Sequence, residues 1–131
     1  MDLLRSLLFA PGNHARRVEK ALGLDADAVV LDLEDAVAVA EKVATRDLVV
    51  AAFKANRQRS AIGYVRVNAI DTPNCFGDIQ AVVGDWLDGI MLPKVESAAH
   101  LQMIDWMLLN LERERGIEEG SIDLLPIVET G

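Results

Sequence analysis

The sequence predicts an α/β domain whose strands lie parallel in one sheet. Three observations carry that reading. Short β-branched apolar runs alternate with stretches of helical periodicity, in the order β-α-β-α-β-α-β-α-β. The connections are short and marked by Pro and Gly, which calls for right-handed crossovers between parallel strands. One run, Ala28 to Leu31, is apolar throughout, as a strand covered on both faces must be, and it passes straight into Asp32, Glu34 and Asp35. An open doubly wound sheet and the start of an eightfold barrel both satisfy this pattern. No Gly-x-Gly-x-x-Gly follows a strand and no P-loop is present, so nucleotide-binding sheets lose their usual signal.

Each element has its own justification. Leu4 to Ala10 reads as the first strand, stopped by Pro11-Gly12. Asn13 is placed to cap a helix with Val18, Ala21 and Leu22 on one face, ended by Gly23. The acidic strand follows. A second helix is expected over Ala40 to Asn56, with Ala44, Leu48, Ala51, Ala52 and Ala55 as its stripe. Ile62 to Asn68 is the third strand. Phe76, Ile79 and Val83 mark a short helix after the Asp71-Thr72-Pro73 turn. Gly89 to Leu92 is the fourth strand, ending at Pro93-Lys94. Ser97 caps a long helix with a Leu101, Ile104, Leu108 and Leu111 stripe, closed by Gly116. Asp123 to Glu129 is the fifth strand.

Bulk properties bound the function. The chain has 131 residues, one domain's worth, and 51% of them are hydrophobic, enough for a core. The net charge of -8 disfavours non-specific binding to nucleic acid or to an anionic membrane. Cys75 is the only cysteine, so no internal disulfide forms, in keeping with a cytoplasmic protein. Asp2 and Arg5 interrupt any signal peptide, and no charge-free apolar run approaches the ~18 residues of a membrane span. His14 and His100 lack a partner at metal-ligand spacing. Trp86 and Trp106 read as packing, and Cys75 has no neighbour that would make it a nucleophile.

The acidic strand end is the candidate site. Two charges ~5 Å apart at an effective dielectric of ~20 repel by roughly 3 kcal/mol, so Asp32, Glu34 and Asp35 need water, donors or a cation among them. Parallel sheets place their chemistry at such C-terminal strand ends. Side chains alternate along a strand. Asp32 and Glu34 therefore share a face, as do Tyr64, Arg66 and Asn68, and Leu125, Ile127 and Glu129. In a barrel, the all-apolar faces would meet the helices. The other faces would bring Asp32, Glu34, Arg66, Asn68 and Glu129 to one rim, with Lys94 from the fourth strand.

Six motifs in register carry a family resemblance. They are Arg5-Ser6-Leu7-Leu8-Phe9-Ala10-Pro11-Gly12; Arg16 with Glu19-Lys20-Ala21; Leu31-Asp32-Leu33-Glu34-Asp35-Ala36-Val37; Val65-Arg66-Val67-Asn68; Asp88-Gly89-Ile90-Met91-Leu92-Pro93-Lys94; and Val128-Glu129-Thr130. Together they resemble the citrate lyase β-subunit / malyl-CoA lyase family, an HpcH/HpaI aldolase-like group. The resemblance implies a (β/α)8 TIM barrel, of which residues 1–131 are the N-terminal part: five parallel strands and four helices, stopping after the fifth strand. Such a barrel takes ~250 residues.

The resemblance also implies a chemistry. It implies Mg²⁺ and cleavage or formation of a carbon–carbon bond beside a CoA thioester, with a 2-oxo acid and an acyl-CoA as the products of cleavage. Citryl-CoA, malyl-CoA and citramalyl-CoA are the substrates in view. Glu129 matches the direct metal ligand; beside it, Glu34 and Asp35 are expected to hold water around the ion, and Asp32 to orient them or Arg66. Arg66 matches the residue that meets the enolate oxygen and binds substrate, together with Glu129. Arg16, Lys20 and Phe9 match positions that contact CoA. A second ligand, an Asp on a following strand, lies beyond the chain. A homo-oligomer, a trimer, is suggested. Three alternatives stay open: a class II pyruvate aldolase without CoA, a Schiff-base aldolase using Lys94, and a non-catalytic binding or assembly module.

Overall fold

The computed structural model describes residues 6–128. Glu129, and the expected first-strand residues before Ser6, lie outside them. The strands are β1 (Leu7–Pro11), β2 (Ala28–Asp32), β3 (Ile62–Arg66), β4 (Gly89–Val95) and β5 (Asp123–Val128). The helices are α1 (Ala15–Gly23), α2 (Lys42–Ala55), α3 (Cys75–Val82) and α4 (Ala98–Glu114). A short 3-10 turn, Val39–Glu41, leads into α2. The sheet order is β1-β2-β3-β4-β5 and every pairing is parallel. Sequential order leaves no point where the winding reverses. That removes the doubly wound sheet and leaves the barrel.

Strand alternation divides the core as the sequence leads one to expect. Val29, Leu31, Val65, Ile90 and Leu92 pack with the helices in one large cluster. Ala28, Val30, Tyr64 and Met91 form a second cluster on the other face, the barrel interior, with Ile62 and Leu125 against it. β2 is buried at every position.

Polar groups pin the N-terminal strand ends. The Arg59 guanidinium donates to Asp88 Oδ2 at 2.9 Å and to the carbonyls of Trp86 at 3.0 Å and Asn56 at 3.1 Å. The same Asp88 oxygen accepts from the Gly63 N–H at 2.7 Å. Inside the barrel, the Tyr64 hydroxyl donates to Asp123 Oδ2 at 2.8 Å. Burial and that carboxylate together push the Tyr64 phenol well above its ordinary range. Buried Glu112 on α4 accepts from the N–H groups of Gly120 and Ile122, both at 2.9 Å, and so fixes the turn that starts β5.

Several local expectations are corrected. The α1 cap is His14, whose Nδ1 accepts from the Arg17 N–H at 3.3 Å; Asn13 donates instead to Glu41 Oε2 at 2.8 Å. The inward stripe of α2 is Lys42, Thr45, Val49 and Phe53, while Ala44, Leu48, Ala51 and Ala55 face outward. The period is right and the phase is wrong. Phe53 is the largest side chain that the helix can bury, and two polar residues follow it inward. On α3 the buried positions are Cys75, Asp78, Ile79 and Val82, and Phe76 is exposed. Trp86 packs under Lys54, 4.5 Å from its ring centroid, but Trp106 is 67% exposed and is not a core residue. Ser97 does cap α4, accepting from the His100 N–H at 3.3 Å, and Gly116 follows at a positive φ of 67°. No helix among the described residues is long and apolar enough to cross a membrane.

Candidate active site at the strand rim

The rim is built from four adjacent strands. Pairing sets Pro11 opposite Asp32, Asp32 opposite Arg66 and Arg66 opposite Met91, so these residues end at one height. Gly12 allows the β1 chain to close over β2. Its N–H donates to the Asp32 carbonyl at 2.8 Å, and a Cβ there would sit 2.8 Å from that oxygen and 2.7 Å from Val49 Cγ2.

Asp32 and Arg66 form a two-pronged pair. Arg66 Nε donates to Oδ1 and Nη2 to Oδ2, each at 2.8 Å. Asp32 also accepts from the Glu34 and Ala36 N–H groups, each at 2.9 Å. Four donors thus converge on one buried carboxylate. Burial alone would raise its pKa. The Arg66 hydrogen bonds, the two backbone N–H bonds and the guanidinium charge outweigh that and hold it below the usual carboxylate range. The Arg66 guanidinium is pushed up in turn, chiefly by its hydrogen bonds to Asp32. The Arg66 side chain is 23% exposed, and its guanidinium carbon stands 5.2 Å from the Phe9 ring centroid. A cavity of about 260 Å³ lies beside it, lined by Phe9, Ala10, Pro11, Asp32, Ala36 and Arg66.

Glu34 bridges two cations. Its Oε1 lies 3.6 Å from Arg66 Nε and its Oε2 lies 3.2 Å from Lys94 Nζ. Its side chain is only 6% exposed, whereas Asp35 is exposed. The structure therefore brings Phe9, Asp32, Glu34, Arg66 and Lys94 together. Arg16 and Lys20 stand exposed on α1, outside this cluster, with Arg16 in the turn nearest the rim. Glu129 falls outside the described residues.

Asn68 does not join the rim. β3 ends at Arg66, and Asn68 turns into the helix layer. There its Nδ2 donates to Asp78 Oδ2 at 2.7 Å and to the Leu33 carbonyl at 3.1 Å, while its Oδ1 accepts from Lys42 at 2.7 Å. Lys42 Nζ also donates to the carbonyls of Glu34 at 2.7 Å and Leu33 at 3.0 Å, and Asp78 is paired with Arg46 at 2.8 Å. This buried network holds the acidic loop from behind. Sequence reasoning missed it, although Asp78 inside the otherwise apolar face of α3 was a visible signal.

The donor set can be tested against a magnesium ion. Among the described residues no three of His, Cys, Asp and Glu converge as a metal cage. Mg²⁺ does not need one, because it keeps several waters and takes one or two carboxylates. Asp32 has both oxygens committed to Arg66 and the backbone. Glu34 and Asp35 are oxygen donors of the right hardness beside it, suited to waters around such an ion. As oxygen donors, these residues fit such an ion.

The chain is 38% identical to citrate lyase subunit beta of Leuconostoc mesenteroides subsp. cremoris, over 98% of this chain and 42% of that protein. It is 44% identical to a (3S)-malyl-CoA thioesterase of Cereibacter sphaeroides (strain ATCC 17025 / ATH 2.4.3), over 76% of this chain and 35% of that one. A solved citrate lyase beta subunit from M. tuberculosis, complexed with oxaloacetate and magnesium, matches with a TM-score of 0.68 at 32% identity, over 95% of this chain and 47% of that chain. The chain thus spans under half the length of these relatives. The family model for HpcH/HpaI aldolase/citrate lyase matches residues 5–131, and the chain belongs to that family.

Proposed function

We propose that this chain forms the N-terminal part of a Mg²⁺-dependent carbon–carbon lyase that cleaves or forms a 3-hydroxyacyl-CoA thioester, such as citryl-, malyl- or citramalyl-CoA. The observation that carries the reading is the Arg66–Asp32 pair at 2.8 Å in both prongs, held at the mouth of a parallel sheet with a cavity beside it. The names of the relatives, a citrate lyase subunit and a malyl-CoA thioesterase, support the substrate class. The M. tuberculosis protein, solved with oxaloacetate and magnesium, supports the metal and the 2-oxo acid.

The chain's own residues divide the work. Arg66 is fixed by Asp32 and keeps its charge, so it meets the enolate oxygen that develops on the acyl-CoA fragment with no reorganisation of its own. Glu129 would hold the ion directly, and Glu34 and Asp35 would hold water around it. Magnesium, when bound, supplies Lewis-acid polarisation of the 2-oxo acid carbonyl. Phe9 flanks Arg66 and screens one side of it from water. Arg16 and Lys20 offer two positive charges to the CoA phosphates.

Arg66→Lys tests this assignment in the protein at its full encoded length. A lysine cannot make the two-pronged contact, so kcat for thioester cleavage is expected to fall at least ~100-fold with the fold intact. Near-normal turnover would overturn the role. The products separate the reactions: a 2-oxo acid with acyl-CoA supports the lyase, and free CoA with the intact hydroxy acid supports thioester hydrolysis.

A further inference from the structure

The acidic loop is held from two sides. In front, the Asp32 carboxylate accepts from the N–H groups of Glu34 and Ala36, each at 2.9 Å. Behind, Lys42 reaches back from the first turn of α2 and donates to the carbonyls of Leu33 at 3.0 Å and Glu34 at 2.7 Å. The Glu34 carbonyl also accepts from the Val37 N–H at 3.1 Å, and the Leu33 N–H donates to the Arg66 carbonyl at 2.9 Å. Lys42 thereby fixes the peptide that joins Glu34 to Asp35, and with it the direction in which both side chains leave the loop. Of residues 35–40 only Val37 is buried, so packing alone gives this turn little hold.

Lysine is a costly residue to bury at such a place, because its ammonium gives up water. Its three N–H groups go to three neutral oxygens, the third being Asn68 Oδ1 at 2.7 Å. Asn68 cannot swing away, since its amide nitrogen donates to Asp78 Oδ2 at 2.7 Å and to the Leu33 carbonyl at 3.1 Å. Asp78 is fully buried and is held in turn by Arg46 at 2.8 Å. Each side-chain N–H of Lys42 and Asn68 thus has an acceptor, and moving one group breaks several bonds at once. On β2 and its loop the network ends at the two consecutive carbonyls that follow Asp32. We propose that Lys42 is a positioning residue: by clamping the Glu34–Asp35 peptide from behind, it sets the two carboxylates that hold water around the magnesium ion. This deepens the functional reading above and rests on it.

The test measures magnesium binding by titration calorimetry in the full-length protein, with amide exchange at residues 34–36 in the metal-free protein as a second readout. Lys42→Met is compared with Gly89→Ala, which crowds Tyr64 at the far end of the strands and so controls for lost stability alone. Lys42→Met is expected to bind magnesium about tenfold more weakly and to exchange faster at residues 34–36, while Gly89→Ala keeps both values. If Lys42→Met does not yield folded protein, Lys42→Gln takes its place. Its arm is one bond shorter and carries two amide hydrogens, so at least one of the three acceptors is left without a donor, and the same two changes are expected. Unchanged magnesium affinity in the Lys42 variant, or an equal loss in Gly89→Ala, would overturn the positioning role and leave the lyase reading standing. Weaker binding with unchanged exchange would overturn the clamp as its cause. No magnesium binding by the unsubstituted protein would overturn the metal reading, and the Lys42 role with it.

Discussion

Asp32→Asn is a small change in shape with a large expected cost. The carboxylate accepts four hydrogen bonds, two on each oxygen. Oδ1 takes Arg66 Nε and the Glu34 N–H, and Oδ2 takes Arg66 Nη2 and the Ala36 N–H. An asparagine amide offers one oxygen and one NH₂. Whichever way it is turned, its NH₂ faces one guanidinium donor and one backbone donor. Two donors are orphaned and the charge that balances Arg66 is gone. The Asp32 side chain is 2% exposed, so water cannot readily replace it. Breaking a buried pair by neutralising one partner costs about 3–5 kcal/mol. The partial exposure of Arg66 puts the expectation at the lower end, about 3 kcal/mol. Asp32→Ala removes the clash along with the bonds and leaves room for water, so it should cost no more than Asn. Urea unfolding of the full-length protein measures both. An Asn variant within about 1 kcal/mol of the unsubstituted protein, or clearly more stable than the Ala variant, would show that the four-donor arrangement does not hold the site.

The remaining expectations concern stability and pH. Gly89→Ala would place a Cβ 2.4 Å from Tyr64 Cε1, so the ring must move off Asp123; a loss of about 2 kcal/mol is expected, and less in a Tyr64→Val background, in a double-mutant cycle. Lys42→Met keeps the length of the side chain but leaves the Glu34 carbonyl and Asn68 Oδ1 without their donor; about 2 kcal/mol should be lost, with faster amide exchange at residues 34–36. The Asp32 carboxyl is held below its ordinary value of 3.8, so its contribution is complete above about pH 4 and is lost as pH falls through its lowered value. Melting curves against pH should therefore show an acid limb that Asp32→Asn flattens. Cys75 is buried and its thiol is pushed up from 9.0 to about 11, first by desolvation and then by Asp78 and Asp71. It should resist thiol reagents at pH 8 in the folded protein, and the stability attached to it should decline between pH 9 and 11, a slope that Cys75→Ala removes.

The architecture was legible because period-two alternation and loop chemistry are local. Ala28 to Leu31 announced a buried strand, and the parity of Asp32 with Glu34 and of Tyr64 with Arg66 placed the rim on one face. Parity fails where strands end. Asn68 left the sheet two residues after Arg66 and went to Asp78, which no alternation rule could show. At Lys94 an irregularity in the β4–β5 ladder reversed the phase, and the expected rim position came out right for a reason absent from the pattern. The helix faces were harder. On α2 the small alanines and Leu48 form a convincing stripe, yet the buried one carries Lys42 and Thr45, because those side chains satisfy carbonyls behind the acidic loop and at the helix start. A buried polar residue is explained by its partner, and the partner is distant in sequence.

The braces formed by Arg59 with Asp88 and by Tyr64 with Asp123 stand at the end of the strands away from the rim. Foundations and workshop are thereby insulated from each other. Substitutions that alter the mouth need not loosen the footing, and damage to the footing can unfold the domain without touching any group at the rim. A screen that scores only loss of turnover would confuse the two; pairing it with melting measurements would sort them.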